Sequence, residues 1–234
     1  MIKKCISSCI ILLVLTCSIA SADIYVNINS DISSRYVFRG FTPGGKHPAA
    51  ALNFSAYFTS SNINVSQWFI NTLGDISAYH ESGTMINYYH YFNDRIIVSG
   101  GLTAYLYPGV PNTNLLGLEF GLTLSDIGFI IPYFVESYID IIAGSWYVKL
   151  TGGYTFNTFL PINFTVSNGI NLLPYTRYGE IIPGGFSDIS AQLSTYVILK
   201  NWQFTPKLSY IIPLNTLIND TMMLQVCFNV GYSF

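Results

Sequence analysis

The chain is poor in charge, cysteine and histidine, and each shortage removes a class of protein. Charged residues make up 9% of the 234 positions and histidine occurs three times, as His47, His80 and His90. Of the 10 Lys and Arg, Lys3 and Lys4 lie in the leader, which leaves 8 against 12 Asp and Glu after residue 22. That balance of −4 offers nothing to nucleic acid. Cys5, Cys9 and Cys17 crowd the first 17 positions and only Cys227 stands beyond them, which excludes a disulfide framework. No GxSxG, HExxH or phosphate-loop pattern occurs, and the histidines lie in no metal-ligand spacing, so neither a catalytic motif nor a cofactor is read. After residue 22 no apolar run approaches the ~20 residues of a membrane-crossing helix. Aromatic side chains are what the chain has in excess: 18 Tyr, 16 Phe and 3 Trp.

The N-terminus reads as an export signal. Lys3 and Lys4 precede a short apolar run at 10–15, and Ala20-Ser21-Ala22 supplies the small-residue cleavage site. Residues 1–22 are therefore expected to be removed, leaving one domain over 23–234.

The C-terminus, 222–234, alternates without a break. One face carries Met222, Leu224, Val226, Phe228, Val230, Tyr232 and Phe234; the other carries Met223, Gln225, Cys227, Asn229, Gly231 and Ser233. Period-two alternation makes this a strand with one greasy and one nearly polar surface. Such an ending, aromatic at the last position and two before it, resembles the terminal strand of bacterial outer-membrane β-barrels. That resemblance implies that Phe228, Val230, Tyr232 and Phe234 form an assembly signal read by the barrel assembly machinery.

Twelve strands are predicted, over 24–38, 49–59, 62–71, 83–93, 95–107, 114–125, 127–138, 144–156, 159–169, 187–199, 201–212 and 222–234. Tight turns at Ser60-Ser61, 93–95, Ser125-Asp126, Asn157-Thr158 and Lys200-Asn201 alternate with longer connections, of which 170–186 is the longest. Short alternating strands can enter a bilayer only as a closed barrel, because every backbone N–H and C=O must find a partner within the protein. The expected fold is thus all-β: a transmembrane, antiparallel, up-and-down barrel of twelve strands in the outer membrane, with aromatic girdles in contact with lipid. Alternation is clear over 116–125, 146–156 and 204–212, whereas 83–93 and 127–138 carry large groups on both faces and Pro132 fits a strand poorly.

The segment Ser34-Arg35-Tyr36-Val37-Phe38-Arg39-Gly40, followed by a strand led by Pro48, resembles the first hairpin of the proteobacterial porin-like family labelled TorF, whose pattern is S-x-Y-x-F-R-G. Arg35 replaces the small or acidic residue usual in that family. The resemblance implies a small outer-membrane barrel and carries little chemistry beyond that.

Placing Tyr36 and Phe38 outward puts Arg35 and Arg39 on the inner wall. The residues expected to line the lumen are then Asp31, Arg35, Arg39, Glu119, Glu136, Lys149, Asp188 and Lys207. Two compatible readings follow: ion pairs bracing a narrow lumen, or a basic constriction that selects anions. Twelve strands lie between filled eight-stranded barrels and open porins, so the lumen is narrow or plugged. The function these features imply is a passive channel for small polar or ionic solutes. A structural or adhesive surface barrel and a barrel hydrolase using His80-Glu81 are the alternatives.

Overall fold

The computed structural model describes residues 23–39, 42–43, 45–74, 79–107, 116–128, 131–142, 144–173, 175–177, 180–182, 184–214 and 221–234. The expected leader 1–22, Gly40, and the connections 108–113 and 215–220 lie outside the described residues. Among the described residues fifteen strands form: β1 Ile24–Ser33, β2 Ala49–Phe58, β3 Ile63–Thr72, β4 His80–Tyr91, β5 Ile96–Leu106, β6 Leu116–Asp126, β7 Tyr133–Asp140, β8 Ser145–Phe156, β9 Ile162–Asn171, β10 Tyr175–Arg177, β11 Glu180–Ile182, β12 Gly185–Thr195, β13 Val197–Leu199, β14 Trp202–Pro213 and β15 Met223–Ser233.

Each wall strand pairs antiparallel with its sequence neighbour, and β15 returns to β1, Ser233 opposite Asn27 through Cys227 opposite Ser33. The two ends of one amphipathic ladder thereby satisfy each other, and among the described residues the wall has no free edge strand. β12 and β13 are one wall strand interrupted at Tyr196, since both pair with β14. The wall is therefore a closed, twelve-stranded, up-and-down barrel, as the alternation predicts. Between β9 and β12, within the expected long connection 170–186, β10 and β11 form a separate hairpin. Among the described residues, no helix is long and apolar enough to cross a membrane.

The register assigns the two faces strand by strand. Leu118, Phe120, Leu122 and Leu124 of β6 point outward while Gly117, Glu119, Gly121, Thr123 and Ser125 point inward, and neighbouring strands continue both rows. Phe54, Ile86, Leu102, Leu122, Leu150, Leu193, Leu224 and Val226 belong to one exposed apolar surface that rings the wall. Soluble monomers rarely expose an apolar surface of that extent. At the turn rim, where both ends of the described chain lie, Trp202 packs edge-on against Tyr232 (4.7 Å) and Tyr232 against Phe234 (4.6 Å). His90, edge-on to Phe92 at 4.6 Å, is exposed at the same rim.

Three local expectations are corrected. The first strand stops at Ser33 and not at residue 38; at Ser34 the chain leaves the wall. The sixth strand runs through Ser125-Asp126, so the expected turn position belongs to the strand. Pro132 stands before β7, with its carbonyl accepting from Gly153 N–H (3.0 Å). The seventh strand begins at Tyr133, the first residue after Pro132 with an N–H to give to the ladder. The fourth strand starts earlier than expected, at His80. Glu81, Gly83, Met85, Asn87 and Tyr89 take the inner face, with Ile86, Tyr88 and His90 outside.

Candidate functional site

Residues 34–39 cross the lumen as a strap. Gln225 Nε2 donates to the Arg35 carbonyl (2.8 Å) on the β1–β15 side, and Tyr36 stacks on Tyr79 at 5.8 Å beside β4. Arg39 reaches the far wall, where its Nη1 and Nη2 donate to Glu119 Oε1 and Oε2, both at 2.9 Å. The expected outward placement of Tyr36 and Phe38 is thus overturned. Once the chain turns inward at Ser34, strand alternation no longer applies and both aromatics lie inside. Arg39 has a φ of 51, a left-handed backbone that an arginine adopts only when its surroundings hold it there.

Those surroundings come from five wall strands. Glu119 on β6 is fully buried and also accepts from Tyr105 Oη of β5 (2.8 Å). Tyr138 of β7 and Tyr147 of β8 face each other across the ladder and flank the guanidinium. On β12 the register shifts between Phe186 and Asp188, and this bulge turns Ser187 inward beside Asp188. Its hydroxyl donates to the Arg39 carbonyl (2.5 Å) and is also 2.9 Å from Asp188 Oδ1.

The eight residues expected at the lumen occupy the strap and the inner wall. Asp31 of β1 meets Lys207 of β14 (Nζ to Oδ1, 3.7 Å) across β15. Glu136 of β7 and Lys149 of β8 lie opposite each other (3.5 Å). Asp188 lies on β12, and Arg35, on the strap, has a buried Nε without a hydrogen-bond partner. Three of the four cations are therefore paired. On the inner face of the wall and the strap six carboxylates (Asp31, Glu81, Glu119, Glu136, Asp140 and Asp188) stand against four cations (Arg35, Arg39, Lys149 and Lys207), a net −2 among the described residues. This pattern is the bracing arrangement, and its excess charge is negative.

Beside the strap is a cavity of about 420 Å³. One side is aromatic, with Trp68, Tyr105, Tyr138 and Tyr147; the other is hydroxyl and amide, with Ser167, Ser190, Gln192, Ser209 and Gln225. Glu136, Lys149 and Asp188 also reach it. Sequence reading missed Trp68, Tyr79, Glu81, Tyr105 and Ser187 as inner residues. Trp68 Nε1 donates to Glu81 (2.9 Å), Tyr79 Oη also donates to Glu81, and Trp68 stands edge-on to Tyr105 at 5.6 Å. Period two over 81–89 could have revealed Glu81, but the bulge that aims Ser187 leaves no such signal.

His80 and Glu81 form no acid/base pair. His80 Nδ1 is 2.7 Å from Asn71 Oδ1, on the opposite face of β4 from Glu81. Among the described residues, no group of three or more His, Cys, Asp or Glu could hold a metal ion.

A glycine keeps Trp68 in place. A Cβ on Gly83 would lie 2.0 Å from Trp68 Cζ2, so the indole lies directly over the glycine backbone. Gly83→Ala is expected to expel the indole and cost about 1–3 kcal/mol by overpacking. Urea midpoints and a red-shifted Trp68 emission, read with Trp146 and Trp202 replaced by Phe, check this.

No protein-family model matches the chain, and no curated protein matches it in sequence. In fold it is similar to the KdgM porin solved in complex with disordered oligogalacturonate (TM-score 0.59, 11% identity, covering 90% of this chain and 99% of that one). It is similar also to the NanC porin (TM-score 0.59, 10% identity, 88% and 98%) and to LpxR from Salmonella typhimurium (TM-score 0.53, 7% identity, 88% and 99%). At such identities the likeness is one of architecture: a closed, antiparallel, up-and-down β-barrel.

Proposed function

We propose that this barrel lies in the bacterial outer membrane as a narrow, non-enzymatic passive channel for small polar or ionic solutes. It would follow export through the leader 1–22 and insertion by the barrel assembly machinery through its C-terminal strand, as the TorF-like first hairpin also implies. The observation that carries the reading is the division of one closed wall into an apolar outer surface and a polar, charged interior holding a 420 Å³ cavity. An apolar belt is at low free energy only against lipid, and a polar lumen only against water or solute. The strap supplies the constriction. Its bracing also favours a second reading, a sealed barrel whose loops are the working surface.

Because the ion pairs neutralise three cations and leave carboxylates in excess, the channel is expected to prefer cations. Asp188→Asn removes a carboxylate beside the cavity. In planar bilayers under a salt gradient it should move the reversal potential toward anions while folding is retained. An unchanged potential at normal conductance would remove the selectivity claim; absence of steady conductance in the native protein would favour the sealed barrel.

A further inference from the structure

Arg39 is held the way a bound ligand is held. Its guanidinium carbon lies 4.6 Å from the ring centre of Phe38, 5.0 Å from that of Tyr138 and 4.6 Å from that of Tyr147. The two ends of its fork meet Glu119 in parallel hydrogen bonds, and the arginine side chain is 6% exposed against 0% for the glutamate. Aromatic faces around a planar cation, closed by a carboxylate of matching geometry, are a recognition site for organic cations. All of this cage except Phe38 belongs to the wall, and Tyr138, Tyr147 and Arg39 also border the cavity. The occupant arrives on a six-residue strap from the other side of the lumen, and its backbone stands at a φ of 51.

We propose that the cage formed by Glu119, Tyr138 and Tyr147 is a guanidinium-binding site, and that Arg39 is its tethered occupant. A solute carrying a guanidinium group competes for the cage, and exchange with Arg39 frees the strap from the far wall and widens the path. This rests on the channel reading and names a solute class for it. It explains why an arginine is spent on a lumen whose excess charge is negative: the native cation is the competitor of the permeating one.

The test uses Arg39→Gly, because glycine adopts the left-handed φ without strain and leaves the cage empty. In planar bilayers the variant should conduct more than the native protein. Guanidinium chloride should raise the native current toward that of the variant and leave the variant's own current unchanged, because its strap is already free; it should fill the variant's empty cage at about tenfold lower concentration than it displaces Arg39, a factor equivalent to ~1.4 kcal/mol. Urea, planar but uncharged, should do nothing. If the variant conducts more and guanidinium acts no better than urea, the site is lost while the channel reading stands. If neither protein conducts, the channel reading fails and the cage is judged alone. Guanidinium at the same low concentration should then raise the unfolding temperature of Arg39→Gly in vesicles and not that of the native barrel; equal shifts overturn the site. Should the variant refold poorly, its yield with guanidinium against urea reads the same cage, and equal yields overturn it.

Discussion

Glu119→Ala is expected to destabilise the barrel by about 3–5 kcal/mol, because it leaves the Arg39 guanidinium buried without its counter-charge. The carboxylate is fully buried and receives both arms of Arg39 and the Tyr105 hydroxyl, so three charge-assisted hydrogen bonds are lost together. The Lys149–Glu136 pair is the internal control. It spans 3.5 Å with side chains 37% and 25% exposed, and removing either partner is expected to cost only about 0–1 kcal/mol, as for other solvated pairs. Urea unfolding in lipid vesicles measures both. Trypsin should also cut at Arg39 in Glu119→Ala, since the released guanidinium takes the strap with it. Equal, small costs at the two sites would mean that water reaches Glu119 and that the strap is not locked.

Leu122→Arg and Thr123→Arg should differ sharply although they are neighbours on β6. Leu122 lies midway along the outward row, 46% exposed, and its exposed part faces lipid in the proposed location. An arginine there is expected to cost about 2–4 kcal/mol near the bilayer midplane. Thr123 faces the lumen directly opposite Glu136 on β7, where a guanidinium meets a carboxylate. That variant should fold with nearly native stability and shift the reversal potential toward anions. Heat-modifiable mobility and urea midpoints in vesicles distinguish the two. Equal tolerance would show that the outer face of β6 is not in contact with lipid, and the membrane reading would fall with it.

Period two along the chain determined the wall, because in a strand the side-chain direction follows from sequence position alone. The rows through 118–124 and 146–156, the closing strand and the inward placement of Glu119, Lys149 and Lys207 were all legible from alternation. Alternation loses its meaning wherever the chain stops being a paired strand. After Ser33 nothing local announces that the chain turns inward, and Tyr36 and Phe38 were given the wrong face for that reason. Pro132 marked a strand boundary, yet only its hydrogen-bonding to Gly153 shows which side of it the strand occupies. The grip of Ser187 on the Arg39 carbonyl needs a bulge in β12 and a strap 148 positions away, and the cage needs three strands to converge on one side chain. The sequence by itself determined a closed barrel with a greasy exterior and a charged interior, since those depend on short-range periodicity. Which charges meet, and that the lumen is crossed by its own first loop, was decided only by closure of the sheet, which brings β6, β7, β8 and β12 within reach of residue 39.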